Sequence, residues 1–143
     1  MRKIFSAGLI LALAASLAFA CSRQSPEEKL LDTARPAVSW FATLRMTGER
    51  WIANSVPKSF VKSTVGEARK DLGKVADAAG KSPVPAGEKL PLLALMREGR
   101  AVGLGLQKAA EAGDRPGAAR QVAQLVALQE RIAAWQRQLG GTR

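Results

Sequence analysis

Histidine and tyrosine are both missing from this 143-residue chain, and cysteine occurs once. Without histidine there are no histidine metal sites, no Ser-His triad and no haem attached through Cys-x-x-Cys-His. A single cysteine excludes an intramolecular disulfide framework. Aromatic residues make up 5% of the chain, too few for a platform on which nucleic-acid bases stack. Acidic residues are scarce as well: 12 against 22 basic ones, a formal charge of +10 that favours anionic neighbours without naming one. No stretch alternates apolar and polar residues with period 2, and β-branched runs are few, so strands are not expected.

The chain does contain a charged and then apolar start. Arg2 and Lys3 precede seventeen residues, Ile4 to Ala20, broken only by Ser6 and Ser16. That is short of the ~20 residues of a spanning helix and has the layout of a secretory signal. An uncleaved membrane anchor is the alternative. The run ends Leu17-Ala18-Phe19-Ala20-Cys21, which resembles the lipobox of bacterial lipoproteins. That resemblance covers about the first 21 residues. Ala18 stands where the class most often has Leu, and Phe19 is bulkier than usual. It implies that the Cys21 thiol receives a diacylglyceryl group and becomes the new N-terminus. Ala18-Phe19-Ala20 also fits an ordinary Ala-x-Ala cleavage site, which would release a soluble periplasmic protein with a free thiol. The position of the chain's one cysteine at this boundary favours lipidation, because a lone exposed thiol is a liability in an oxidising compartment. Ser22, where inner-membrane lipoproteins commonly have Asp, implies an outer-membrane address facing the periplasm.

The sequence thus divides into a signal peptide (1–20), a lipidated cysteine with a short tether (21–25) and a helical domain (26–143). Cleavage would leave 20 basic and 12 acidic side chains. Ser25-Pro26-Glu27-Glu28 is a helix start: a capping serine, a proline at the first position and a glutamate three residues after the cap. Leu30, Ala34, Ala37, Phe41, Leu44, Gly48 and Trp51 follow in a 4-3 seam. The seam crosses Pro36, which predicts a kink or break near Thr33 to Arg35. A second seam, Val61, Val65, Ala68, Leu72, Val75 and Ala79, opens near Pro57 and closes at Gly80. After the loop 81–87, a third helix starting near Pro91 or a few residues before it carries Leu92, Leu95, Gly99, Val102, Leu106, Ala109 and Gly113. Asp114 can cap a fourth with Leu125, Leu128, Ile132, Trp135 and Leu139, ending at Gly140-Gly141. The fold class expected is all-α, an antiparallel up-and-down four-helix bundle. A three-helix bundle with a loose first segment and an extended coiled-coil hairpin are the alternatives.

Gly48, Gly66, Gly73, Gly99, Gly103 and Gly105 fall inside these helices, each at a cost of about 1 kcal/mol relative to alanine. Close packing against Trp40, Phe41 and Trp51 of the first helix would offset that; a ligand groove is the other reading. No cysteine, histidine or carboxylate arrangement suggests a metal, a cofactor or a catalytic centre, and Glu27-Glu28 is explained as capping. The function expected is therefore that of a small non-enzymatic periplasmic lipoprotein. It would be held to the membrane through Cys21 and would bind or brace an envelope protein partner through a helix face. A binding module for an anionic small molecule, lipid or glycan is the alternative. Nucleic acid is not an expected partner, since it conflicts with export. Arg23, Lys29 and Arg35, near the anchored end, are expected to meet lipid phosphates.

Overall fold

The computed structural model describes residues 23–141, so the expected signal segment and Cys21 lie outside the described residues. Four helices follow one another: α1 (Pro26–Ile52), α2 (Lys58–Gly80), α3 (Ala86–Ala112) and α4 (Arg115–Gly141), with no strand among the described residues. Each helix packs against its neighbours in a ring, α1 on α2, α2 on α3, α3 on α4 and α4 back on α1. One diagonal, α1 to α3, makes a lighter contact. With connections of two to five residues this is the antiparallel up-and-down bundle, and α1 is an integral part of it.

The helix ends follow from their local chemistry. At α1 the Glu28 amide donates to Ser25 Oγ (3.2 Å) and the Ser25 amide donates to Glu28 Oε2 (3.3 Å), a reciprocal capping box. The α1–α2 turn uses Asn54 at φ 59°, a left-handed conformation that asparagine tolerates better than most residues. Between α2 and α3, Val84 tucks into the core, and Lys89 Nζ donates to the Gly80 and Ser82 carbonyls (3.2 and 2.9 Å). Its charge thereby sits on the negative end of α2. Gly113, at φ 67°, ends α3; its amide and that of Asp114 donate back to the Ala110 and Ala109 carbonyls (3.2 and 2.8 Å). Asp114 Oδ1 then accepts from the Gly117 amide at 2.8 Å and starts α4.

The break expected near Thr33 to Arg35 is absent, while the third helix starts a few residues before Pro91, as expected. α1 runs unbroken through Pro36, and α3 begins at Ala86, five residues before Pro91, which lies inside it. Both prolines face solvent. The carbonyl each leaves without an amide can be hydrated, so the missing hydrogen bond does not force a break.

The core is the set of side chains that the seams anticipate. All six α2 positions are buried, as are all five named on α4. α3 also buries Met96, Gly103 and Ala110, while Gly113 is the exposed turn residue and no part of the seam. On α1, Phe41 is fully buried and Trp51 only half so. Trp40 leans sideways, where its indole Nε1 donates to Asp71 Oδ2 of α2 at 3.0 Å.

Candidate functional site

The antiparallel order places the start of α1, the α2–α3 turn and the end of α4 at one end of the bundle, the near end. The other two turns form the far end. Arg23, Lys29 and Arg35 are at the near end as expected, but Glu27, Glu28 and Asp32 share their turns, and Arg35 is bonded to Asp32 at 2.8 Å. Their charge is locally balanced, so they do not make a basic face for a membrane. Divided at the level of Phe41 and Gly99, the near half (23–40, 71–99 and 131–141) carries nine basic and seven acidic residues. The far half (41–70 and 100–130) carries ten and five. The excess lies away from the start of α1.

The interior glycines sort into three kinds. A Cβ added at Gly48 would come within 2.6 Å of Val122 Cγ2, and one at Gly99 would run into the Phe41 ring. These two admit a neighbouring helix closely. At Gly105 the neighbour is the Gln121 side-chain amide, 2.8 Å away, which can swing aside, and at Gly103 the nearest carbons are at an ordinary 3.6 Å. At Gly66 nothing lies within 4 Å, and at Gly73 only the Arg100 guanidinium does. Packing therefore accounts for Gly48 and Gly99 but not for Gly66 or Gly73. Of the three rings expected to meet small residues of α3, Phe41 does so over Gly99, whereas Trp40 bonds to α2.

Open recesses lie on the surface. One of about 710 Å³, at the far end, lies between Trp51, the α1–α2 turn, Lys58 and the end of α3. Two smaller ones of about 110 and 240 Å³ share Pro91, Trp135 and Gln138 and form a shallow groove where α3 starts and α4 ends. There the Trp135 indole donates to the Glu88 carbonyl at 2.7 Å, tying the two helices together. The large apolar side chains left exposed among the described residues are Met46, Phe60 and Leu90, on three different helices. They form no apolar stripe of the kind a helix-face contact with protein would need.

Ion pairs are few. On α2, Lys74 pairs with Asp71 at 3.4 Å. Arg131 of α4 grips both oxygens of Glu98 on α3, the Nη2 to Oε1 bond being 3.0 Å. The hydrogen bond from Arg131 holds the Glu98 carboxyl below its ordinary 4.5, its charge and that of Arg97 adding to the effect; Arg131 is raised in turn. A carboxyl with a lowered folded pKa stabilises above its unfolded pKa, and loses that contribution as pH falls through the folded value. Both side chains are about half exposed, so Arg131→Gln should cost under about 1 kcal/mol at neutral pH. The difference between variant and parent should shrink as pH falls through the folded value and vanish once the carboxyl is protonated in both states. Urea midpoints across that range check it.

Between α2 and α3 stands a pair that sequence reading leaves among scattered charges. Arg69 reaches from α2 over Gly103, and Arg100 reaches from α3 over Gly73. Neither joins an ion pair among the described residues, and Arg69 Nε is buried without an acceptor. No group of three His, Cys, Asp or Glu side chains that could hold a metal occurs among the described residues. No described helix is long and apolar enough to cross a membrane. Compared with family models, with curated proteins and with solved structures, the chain matches none.

Proposed function

We propose that the chain is a small, non-enzymatic lipoprotein of the outer membrane, facing the periplasm, whose helical bundle binds or braces another envelope component. The observation that carries this reading is the place of the chain's one cysteine. Cys21 ends a positively started apolar run and stands five residues before a capped helix. Ser22, Arg23, Gln24 and Ser25 span roughly 14 Å at full extension. Because Ser25 and Glu28 cap each other, lengthening the tether by unwinding α1 costs that cap, about 1 kcal/mol. The bundle would therefore stand on its near end, close to the bilayer, with its basic far half turned toward the partner. Attachment would rest on the acyl chains, since the near end has little net charge and two or more chains anchor stably.

Fatty-acid labelling tests the anchor. The parent should incorporate a clickable fatty acid and fractionate with outer membranes. Cys21→Ser should lose the label entirely, and Ser22→Asp should move the protein to the inner membrane. Labelling that survives Cys21→Ser would remove the lipoprotein reading, and a soluble parent would favour cleavage by an ordinary signal peptidase.

A further inference from the structure

The flank of α2 that faces α3 carries Lys62, Arg69, Gly73 and Gly80, spaced seven, four and seven residues apart. From the other side Arg100 lies along it, its Cζ 3.8 Å and Nη2 4.0 Å from where a Cβ on Gly73 would stand. Arg69 Cγ is 4.0 Å from the corresponding position on Gly103. Gly73 is four residues beyond Arg69 and Gly103 three beyond Arg100. On antiparallel helices the two arginines therefore cross the groove in opposite directions, about one turn, ~5 Å, apart.

Three features of this groove are unfavourable for the chain alone. Two arginines cross the same helix pair with no carboxylate paired to either among the described residues. Arg69 Nε is shielded from water and donates to nothing, a state folded proteins rarely leave uncorrected. Gly66 and Gly73 weaken α2 without admitting a closely packed neighbour, unlike Gly48 and Gly99. An anion in the groove would relieve all three at once, by accepting from both forks and by using the room the missing side chains leave. A carboxylate carries one negative charge on two coplanar oxygens; a phosphate carries up to two on oxygens set tetrahedrally, and so can meet two forks that approach from different directions and offset both charges.

We propose that the α2–α3 groove binds an oxyanion of the phosphate class, clasped between the guanidinium groups of Arg69 and Arg100, with Lys62 on the same flank adding positive potential. This deepens the reading of the bundle as a binding module by naming the chemistry it binds. It does not depend on the anchor, so failed labelling of Cys21 and failed phosphate binding are separate results.

The test is the thermal midpoint of the purified full chain in inorganic phosphate against sodium chloride of matched ionic strength. Single-site binding should raise the midpoint by about 5 °C at ten times the Kd. Arg69→Gln with Arg100→Gln should abolish the shift. Lys70→Gln with Lys108→Gln removes the same charge from exposed positions of the same two helices and should keep it. Arg69→Lys with Arg100→Lys keeps the charge but not the planar forks, and should lose most of the response even if the glutamine pair does not fold. Equal shifts in all variants, or none in the parent beyond chloride, overturn the proposal. So does a full response from the lysine pair. Vesicles containing phosphatidylglycerol then separate the sources. Binding that free phosphate displaces supports a lipid headgroup, and phosphate binding without vesicle binding supports a phosphate outside the bilayer.

Discussion

Leu72→Asp should leave the chain unfolded at 25 °C. Leu72 is 0% exposed, in the middle of α2, and one of its methyls lies 3.4 Å from where a Cβ on Gly99 of α3 would stand. The substitution removes a buried aliphatic side chain, worth about 2–5 kcal/mol with the cavity it leaves. It also puts a carboxyl where no donor waits, costing several kcal/mol more whether it stays charged or takes up a proton. A domain of this size has only about 5–15 kcal/mol of stability in all. Leu106→Asp, equally buried on α3, should behave the same way. Leu90→Asp supplies the contrast: with Leu90 56% exposed, its melt should stay within about 0.5 kcal/mol of the parent's. Far-UV circular dichroism and urea titration read all three. A parent-like melt for Leu72→Asp would mean that the face of α2 placed inward is the wrong one.

How far the bundle can be read from its sequence varies with the surroundings of each helix. On α2 the 4-3 seam names all six buried positions, because a regular apolar ridge pointing at the bundle axis is what that period detects. On α3 the same reading stops short of Met96, Gly103 and Ala110. That helix meets α2 and α4 on its flanks and α1 across the diagonal, so it buries a wider arc than one seam describes. Pro36 misleads because a proline breaks a helix most effectively where its orphaned carbonyl cannot reach water, and it lies on the outside. The caps at Ser25 and Asp114 are legible because they depend on residues three apart. The arginine groove is not. Arg69 and Arg100 are thirty-one residues apart, and their crossing depends on the antiparallel register of α2 against α3, which the turn 81–85 and the burial of Val84 set.

The glycines of α3 should respond to alanine in opposite directions, although they lie one turn apart. At Gly103 a methyl group would sit 3.6 Å from Leu44 Cδ1 and Val65 Cγ1, ordinary contact distance. Gly103→Ala therefore adds packing and removes the conformational cost of glycine, and should stabilise by about 0.5–1 kcal/mol. At Gly99 the methyl would collide with the edge of the Phe41 ring, with Phe41 Cζ at 3.0 Å and Leu72 Cδ1 at 3.4 Å behind it. Both rows of neighbours are fully buried, so the ring has no solvent to swing into and the helices must part. Gly99→Ala should cost about 1–3 kcal/mol from overpacking, less the roughly 1 kcal/mol that alanine returns to the helix. Phe41→Leu shortens the group that is struck. In the double variant the penalty at Gly99 should shrink, giving a coupling of about 0.5–3 kcal/mol between the two sites. Phe41→Leu should show no such coupling with Gly66→Ala, where a methyl meets nothing within 4 Å. If Gly99→Ala proves neutral and independent of Phe41, α1 and α3 do not approach across the diagonal as closely as the ring over Gly99 requires. The glycine would then have to be explained by something other than that contact.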